Sequence, residues 1–109
     1  MARLKLITLE DFLEMLTNNE HLKLVEVLTI EEYEEGHIPG AVNLPLNELE
    51  KGAGQKLKKT EKIVAYCESY TCHASTKAAK RLSELGYKEA LDFKGGKRWW
   101  RHAGLELEK

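Results

Sequence analysis

Short apolar runs alternate with amphipathic segments along the chain. The apolar runs predict five strands, at Leu4–Ile7, Leu22–Leu28, Ala41–Leu44, Ile63–Tyr66 and Glu89–Phe93. Apolar residues at helical spacing predict helices between and after them, at Phe12–Leu16, Ile30–Glu35, Leu46–Leu49, Ala74–Leu85 and Lys97–His102. Strands that alternate with helices are typical of an α/β fold, in which a parallel sheet is covered on both faces.

Two of the predicted helices begin with a capping signal. Thr8 is followed three residues later by Asp11, and Thr29 is followed at the same spacing by Glu32. Each threonine is therefore predicted to cap the helix that comes after it. The segment Lys51–Glu61 is rich in glycine and lysine, and it is predicted to be a surface connection.

The chain is organised around the stretch Ile63–Leu85. Four apolar residues lead directly to Cys67, and a helix is predicted to begin at Ala74 after a short loop. In such a unit the N–H groups of the loop and the helix N-terminus surround the residue at the end of the strand. We therefore expect Cys67 to be held partly as a thiolate beside a pocket for a small oxyanion. The arrangement suits sulfur or phosphoryl transfer, and the alternative is a buried structural cysteine.

Composition narrows the possible classes of protein. The 109 residues are predicted to form one domain, residues 1–109, with a core that needs no disulfides. Both cysteines lie in one loop and no N-terminal targeting signal is visible, so we expect a reducing, cytoplasmic environment. No apolar run approaches the ~20 residues that span a bilayer. The formal net charge of −1 argues against nucleic-acid binding.

Neither a metal nor a nucleotide cofactor is expected. The two cysteines and four scattered histidines lack the spacing of a metal site. Two glycine pairs, Gly52 with Gly54 and Gly95 with Gly96, lack the spacing of a dinucleotide-binding or phosphate-binding loop. The chemistry is therefore expected to come from side chains alone.

Three blocks of sequence resemble those of the rhodanese family, which contains the thiosulfate sulfurtransferases. The segment Glu31–Pro45 is similar to the family's E-E-Y-x-x-G-H-I-P-G-A-x-N-x-P block. The segment Ile63–Cys67 resembles the strand that delivers the catalytic cysteine, and Gly95–Gly96 with Trp100 resembles the G-G-x-x-x-W motif. The blocks occur in the family's order and cover nearly the whole chain.

The resemblance implies a three-layer α/β/α sandwich with a five-stranded parallel sheet. It also implies a sulfurtransferase in which the Cys67 thiolate takes a sulfane sulfur from thiosulfate or a persulfide. The resulting Cys67 persulfide passes the sulfur to cyanide, a thiol or a protein acceptor. By the same resemblance, the substrate is bound by the backbone of the loop formed by Glu68, Ser69, Tyr70, Thr71, Cys72 and His73.

The chain departs from the common family pattern in two places. The segment Glu26–Leu28 stands where Asp-Val-Arg is frequent, so the basic side chain is missing. In the loop, Tyr70 stands where glycine is usual and Cys72 where arginine is usual. The C-x-x-x-x-C loop, followed by Ser75, resembles one subgroup of the family, and substrate choice does not follow from the common form.

Two other functions stay open. Dual-specificity phosphatases of the cell-cycle type and some arsenate reductases share this fold, but their longer cysteine loop ends in arginine, which binds tetrahedral anions bidentately. Here His73 is the sixth residue after Cys67 and the loop contains no arginine, which favours sulfur transfer. The third possibility is a non-enzymatic, redox-responsive binding module in which Cys67 and Cys72 react with oxidants.

Other candidate residues lie in and beyond the loop. A disulfide between Cys67 and Cys72 needs converging Cβ vectors. A loop whose N–H groups point inward at an anion turns its side chains outward, so Cys72 is predicted to keep a free thiol. Trp100 is predicted to belong to the core. One basic cluster, which either solvates the surface or adds positive potential near the loop, comprises Lys94, Lys97, Arg98 and Arg101.

Overall fold

The computed structural model describes residues 5–18 and 21–109. Its strands are β1 (Lys5–Ile7), β2 (Leu22–Glu26), β3 (Val42–Asn43), β4 (Lys62–Tyr66) and β5 (Glu89–Phe93). All pairings are parallel and the strand order is β1-β5-β4-β2-β3, so the predicted five-stranded parallel sheet is confirmed. Strand β3 contains only two of the four residues predicted for it. Leu4, predicted to begin the first strand, lies outside the described residues.

Five α-helices connect or follow the strands: α1 (Leu9–Thr17), α2 (Ile30–Glu35), α3 (Leu49–Lys56), α4 (Ala74–Glu84) and α5 (Gly96–His102). Both predicted caps are present. The backbone N–H of Asp11 donates to Thr8 Oγ1 at 3.0 Å, and that of Glu32 donates to Thr29 Oγ1 at 3.2 Å. Each carboxylate accepts a hydrogen bond in return from the backbone N–H of its threonine, which completes a capping box.

Part of the predicted surface connection Lys51–Glu61 is instead helical. Residues 51–56 belong to α3, in which Leu49 and Ala53 are buried. Gly52 is a packing residue, because a Cβ at this position would lie 2.3 Å from Leu44 Cδ1. The glycine therefore brings α3 close to the segment after β3 and does not mark a loop. Only residues 57–61 form the connection to β4.

Apolar clusters cover both faces of the sheet. The cluster on the side of α3 and α4 includes Val25, Leu49, Ala53, Ile63, Ala65, Ala79 and Leu82. The cluster on the side of α1 and α5 includes Phe12, Val64, Leu91, Phe93 and Trp100. Trp100 is buried, as predicted, and its ring lies 5.9 Å from that of Phe12. Helices on both faces confirm the three-layer α/β/α sandwich.

Within the segment Glu31–Pro45, the turn at His37 and Ile38 is held against the rest of the fold by several contacts. His37 Nδ1 lies 3.0 Å from the carbonyl oxygen of Tyr33, and the two rings stack with centroids 3.8 Å apart. The backbone N–H of Ile38 donates to the hydroxyl of Tyr66 at 3.1 Å. The backbone N–H groups of His37 and Glu108 each donate to the other's carbonyl oxygen at 2.8 Å. These contacts assign the segment a structural role.

Strand β4 delivers Cys67 to the carboxyl edge of the sheet. The parallel register pairs Tyr66 with Glu26 of β2 on one side and with Phe93 of β5 on the other. Because the carboxyl ends of parallel strands meet at one edge, the segments that follow β2, β4 and β5 lie near one another. Cys67 therefore lies in the middle of that edge.

Candidate active site

Cys67 is the first residue after β4, and its side chain is fully buried. Its Sγ lies 3.4 Å from the carbonyl oxygen of Cys72 and 3.4 Å from Oγ of Ser75. The carbonyl oxygen of Ser69 lies 4.0 Å from the same sulfur. The loop thus folds back over Cys67, and Ser75, which is also fully buried, contacts the sulfur from the first turn of α4.

Burial raises the pKa of the Cys67 thiol above its ordinary value of 9.0. The side chain of Cys72 raises this pKa further, whereas the hydroxyl and backbone N–H of Ser75 lower it. In this conformation, burial therefore opposes the ionisation that was expected for Cys67. The carbonyl oxygen of Cys72 faces the sulfur, and the N–H group that acts on it belongs to Ser75 at the start of α4.

The loop after Cys67 is a compact turn with its own hydrogen bonds. The backbone N–H of Cys72 donates to the carbonyl oxygen of Ser69 at 3.0 Å, and Ser69 Oγ lies 3.1 Å from Thr71 Oγ1. The Cys72 side chain is partly buried and packs against the apolar cluster beneath α4. Both cysteines are free thiols.

The six predicted substrate-binding residues differ in their surroundings. Tyr70, Thr71 and His73 are exposed, whereas Ser69 and Cys72 are partly buried. Glu68 is partly exposed and forms an ion pair with Arg101 of α5. The structure brings these residues together around one turn, and substrate binding by their backbone stays a prediction.

The start of α5 holds the loop through the backbone. The N–H groups of Lys97 and Arg98 donate to the carbonyl oxygens of Cys67 and Glu68, at 3.0 and 2.8 Å. Gly96 permits this approach, because its φ is +60° and a Cβ there would lie 2.2 Å from the Cys67 carbonyl oxygen. The second glycine of the Gly-Gly motif thus fixes the position of the cysteine.

Two side chains at the site were not predicted for the roles they have here. Ser75 contacts Cys67 Sγ, and Lys94 Nζ donates to the Cys72 carbonyl oxygen at 3.0 Å while lying 3.5 Å from His73 Nδ1. The position of Lys94 near the loop could have been predicted from the sequence. Lys94 comes directly after β5, and β5 was predicted to end at the same edge of the sheet as the strand before Cys67.

The four residues of the basic cluster have different roles. Lys97 is 3% exposed, and its Nζ lies 3.0 Å from Glu26 Oε2 and donates to the Glu32 carbonyl oxygen at 2.8 Å. The prediction that Lys97 either solvates the surface or attracts substrate is wrong, because a buried carboxylate neutralises it. Arg101 is paired with Glu68. The other two residues of the cluster, Lys94 and Arg98, have no carboxylate partner among the ion pairs of the described residues.

Glu26 is the centre of a buried polar network behind the loop. Its Oε1 accepts a hydrogen bond from the hydroxyl of Tyr66 at 2.9 Å, and its Oε2 faces Lys97. Burial raises the pKa of Glu26, although Lys97 and Tyr66 oppose this change. Burial and the neighbouring Glu26 carboxylate raise the pKa of Tyr66. The network therefore joins β2, β4 and α5 beneath Cys67.

A second buried carboxylate fixes the first turn of α4. Thr76 Oγ1 donates to Asp92 Oδ2 at 2.6 Å, and Asp92 is fully buried on β5. The other oxygen, Oδ1, has no hydrogen-bond partner among the described residues. Because Ser75 precedes Thr76 in the same turn, this bond also positions the hydroxyl that contacts Cys67.

The described part of the chain contains no group of three or more His, Cys, Asp or Glu side chains that could hold a metal ion. Across residues 5–18 and 21–109, no helix has both the length and the apolar character that crossing a membrane requires.

Comparison with known proteins identifies the family. The model of the rhodanese-like domain matches residues 8–103. The chain belongs to the rhodanese family. A sulfurtransferase of Allochromatium vinosum is 30% identical to this rhodanese over 98 residues, which cover 90% of this chain and 89% of that protein. YrkF of Bacillus subtilis is 37% identical over 94 residues, which cover 86% of this chain but only 49% of YrkF, so the chain spans about half the length of that relative.

Solved structures share the fold of this rhodanese. The BH2092 protein of Bacillus halodurans matches with a TM-score of 0.86 and 30% identity, over 95% of this chain and 76% of that one. The human single-domain sulfurtransferase TSTD1 matches with a TM-score of 0.80 and 25% identity, over 92% of this chain and 97% of that one. Cys67 and Cys72 enclose the C-x-x-x-x-C loop of this rhodanese-like domain.

Proposed function

We propose that residues 1–109 form a single rhodanese domain in which Cys67 moves a sulfane sulfur from a donor such as thiosulfate to a thiophilic acceptor. The observation that carries the proposal is the placement of Cys67. It directly follows the central strand, contacts Ser75 and is enclosed by a loop that contains no arginine. Cyanide, a small thiol or the thiol of another protein can serve as the acceptor.

Sulfur moves in two displacement steps without net oxidation. In the first step the Cys67 thiolate attacks the outer sulfur of thiosulfate, and the donor's S–S bond breaks with its electron pair leaving on sulfite. In the second step the acceptor attacks the outer sulfur of the Cys67 persulfide, and the Cys67 thiolate leaves. Ser75 stabilises that thiolate in both steps, since its hydroxyl and N–H lower the pKa of Cys67.

The sulfur must be uncovered before the first step. Cys67 is fully buried, and its Sγ lies within hydrogen-bond distance of the Cys72 carbonyl oxygen. Ionisation replaces this hydrogen bond with repulsion between the thiolate and that oxygen. We infer that the loop moves away from Cys67 as the thiolate forms. Lys94 already donates to the same oxygen and can hold it in the displaced position.

The loop favours sulfur transfer over phosphoryl transfer. Residues 68–73 include no arginine, and Arg101 is occupied by Glu68. Lys94 contacts the loop as a point charge and lacks the planar fork that grips two oxygens of a phosphate. A tetrahedral phosphate or arsenate would therefore lack a bidentate partner here.

Turnover with thiosulfate and cyanide, measured beside hydrolysis of an aryl phosphate, tests the proposal. We expect the wild-type protein to form thiocyanate, the Cys67→Ser variant to form none, and neither to release phosphate. The Cys72→Ser variant is the matched control and should keep substantial activity. Phosphate release that depends on Cys67, without thiocyanate formation, would assign the site to phosphoryl transfer.

A further inference from the structure

An exposed aromatic pair lies beside the catalytic loop. Tyr70 is 54% exposed and Trp99 is 38% exposed, and their rings stack with centroids 6.1 Å apart and planes inclined by 16°. Trp99 is not the tryptophan of the family motif, which is the buried Trp100. Single exposed apolar residues need no explanation, but aromatic residues grouped at a surface are typical of protein interfaces.

The local backbone is shaped to hold this pair. A Cβ on Gly95 would lie 2.1 Å from Trp99 Cδ2, so the glycine makes room for the indole ring. Lys94 Nζ lies 5.5 Å from the centre of the Tyr70 ring and also donates to the Cys72 carbonyl oxygen. The aromatic pair is therefore joined directly to the loop that covers Cys67.

The surroundings of the pair are positively charged, although the whole chain has a formal net charge of −1. Arg98 directly precedes Trp99, and Lys94 Nζ lies 5.5 Å from the centre of the Tyr70 ring. Neither cation belongs to an ion pair within the described part of the chain. The acidic residue of the loop, Glu68, is neutralised by Arg101. The charge pattern is thus complementary to an acidic partner.

We propose that the surface formed by Tyr70, Lys94, Arg98 and Trp99, here named the loop platform, docks the protein that receives sulfur from Cys67. The partner presents a reduced cysteine within an acidic segment. Cyanide and small thiols cannot cover two rings whose centroids are 6.1 Å apart, whereas a protein segment can. This inference rests on the proposed function, because it names the acceptor for the Cys67 persulfide.

The transfer itself needs no oxidant. The acceptor cysteine, as a thiolate, attacks the outer sulfur of the Cys67 persulfide and forms a new S–S bond. The old S–S bond breaks, and its electron pair returns to Cys67 as the thiolate. The partner leaves as a persulfide, and the rhodanese is ready for another donor molecule.

Synthetic acceptor peptides test the loop platform. Each peptide carries one cysteine, in an acidic sequence or in a matched sequence with glutamine in place of glutamate. Protein carrying sulfur on Cys67 is mixed with each peptide, and the transfer rate is followed by intact mass. We expect the acidic peptide to react about tenfold faster, and this preference to decline as salt screens the charges.

Substitutions on the platform and away from it give the comparison. Trp99→Ala and Arg98→Glu should each lower the rate with the acidic peptide to the rate with the glutamine peptide. Leu16→Ala and Lys80→Glu remove a similar exposed group from α1 and α4, and they should retain the preference. Equal rates with the two peptides, or a preference that survives in Trp99→Ala, would overturn the proposal.

A binding measurement separates this proposal from the function of Cys67. The acidic peptide with serine in place of cysteine should quench the fluorescence of Trp99 in the resting protein, and the glutamine peptide should not. If Cys67 takes up no sulfur but the acidic peptide binds, the proposed sulfur transfer fails and the docking surface stands. If sulfur is taken up but the acidic peptide neither binds nor reacts faster, the docking surface is refuted alone.

Discussion

Lys97 Nζ lies 3.0 Å from Glu26 Oε2, and both side chains are buried beneath the loop that carries Cys67. The pair joins α5 to β2, and the Tyr66 hydroxyl adds β4 by donating to Glu26 Oε1. A cation that looks like a surface residue in the sequence is therefore part of the scaffold. The backbone N–H of the same residue donates to the Cys67 carbonyl oxygen.

Removal of the Lys97 charge should destabilise the protein. Lys97→Met leaves Glu26 buried without its cation, which we expect to cost about 3–5 kcal/mol of unfolding free energy in urea titrations at neutral pH. The cost should decrease as the pH falls through the raised pKa of Glu26, because the protonated carboxyl needs no cation. The double variant Glu26→Gln/Lys97→Met should recover much of the stability. A Lys97→Met protein as stable as the wild type would contradict the pairing.

Gly96 should resist substitution because of its position under Cys67. In Gly96→Ala the Cβ meets the Cys67 carbonyl oxygen, and the left-handed φ adds roughly 1–2 kcal/mol of strain. We expect lower stability and a slower uptake of sulfur from thiosulfate, since the loop must shift. The control is Gly54→Ala in α3, where nothing lies within 4 Å of the added Cβ. That variant should be neutral or stabilised by about 0.5–1 kcal/mol, and equal effects of both substitutions would argue against the close approach at Gly96.

The reaction of Cys67 with thiosulfate should depend on pH in a defined direction. The thiolate reacts and the pKa of Cys67 lies above 9.0, so the rate of sulfur uptake should rise with pH throughout the neutral range without reaching a plateau. Ser75→Ala removes a group that lowers this pKa, so the profile should shift to still higher pH. Stopped-flow measurement of single-turnover uptake gives the profile. A plateau that begins below neutral pH would show that the reactive thiol is not held as the structure has it.

Cys72 should not be required for sulfur transfer. Both cysteines are free thiols, and the Cys72 residue contacts Cys67 Sγ through its backbone carbonyl oxygen, which a substitution retains. We expect Cys72→Ser to keep substantial activity, and titration of the untreated wild-type protein to count two thiols. Loss of thiols should occur only after mild peroxide. A Cys67–Cys72 disulfide in the untreated protein, or an inactive Cys72→Ser variant, would instead give Cys72 a resolving or carrier role.

Local signals were sufficient for most of the architecture. The capping boxes at Thr8 and Thr29 and the apolar run before Cys67 depend on residues close in sequence, and the structure has all three. The helix α3 was partly missed because Gly52 reads as a turn residue. The role of Gly52 is close packing against Leu44. This role depends on a contact between elements that are separate in sequence, so no local pattern indicates it.

The properties of the site were harder to predict than its location. The position of Cys67 follows from the strand that precedes it, but its pKa depends on which backbone groups of the loop face the sulfur. The burial of Lys97 depends on Glu26, which lies far away in sequence and whose own burial could not be read from β2 alone. Such pairings between distant elements decide which charges are available to a substrate.

Intact mass spectrometry after incubation with thiosulfate tests the central claim most directly. The reduced protein is incubated with thiosulfate, freed from the donor, weighed and then digested to locate the added sulfur. We predict a gain of one sulfur atom on Cys67 in the wild-type and Cys72→Ser proteins, and no gain in a folded Cys67→Ser protein. A wild-type protein that gains no sulfur, or that carries it on Cys72, would contradict the account.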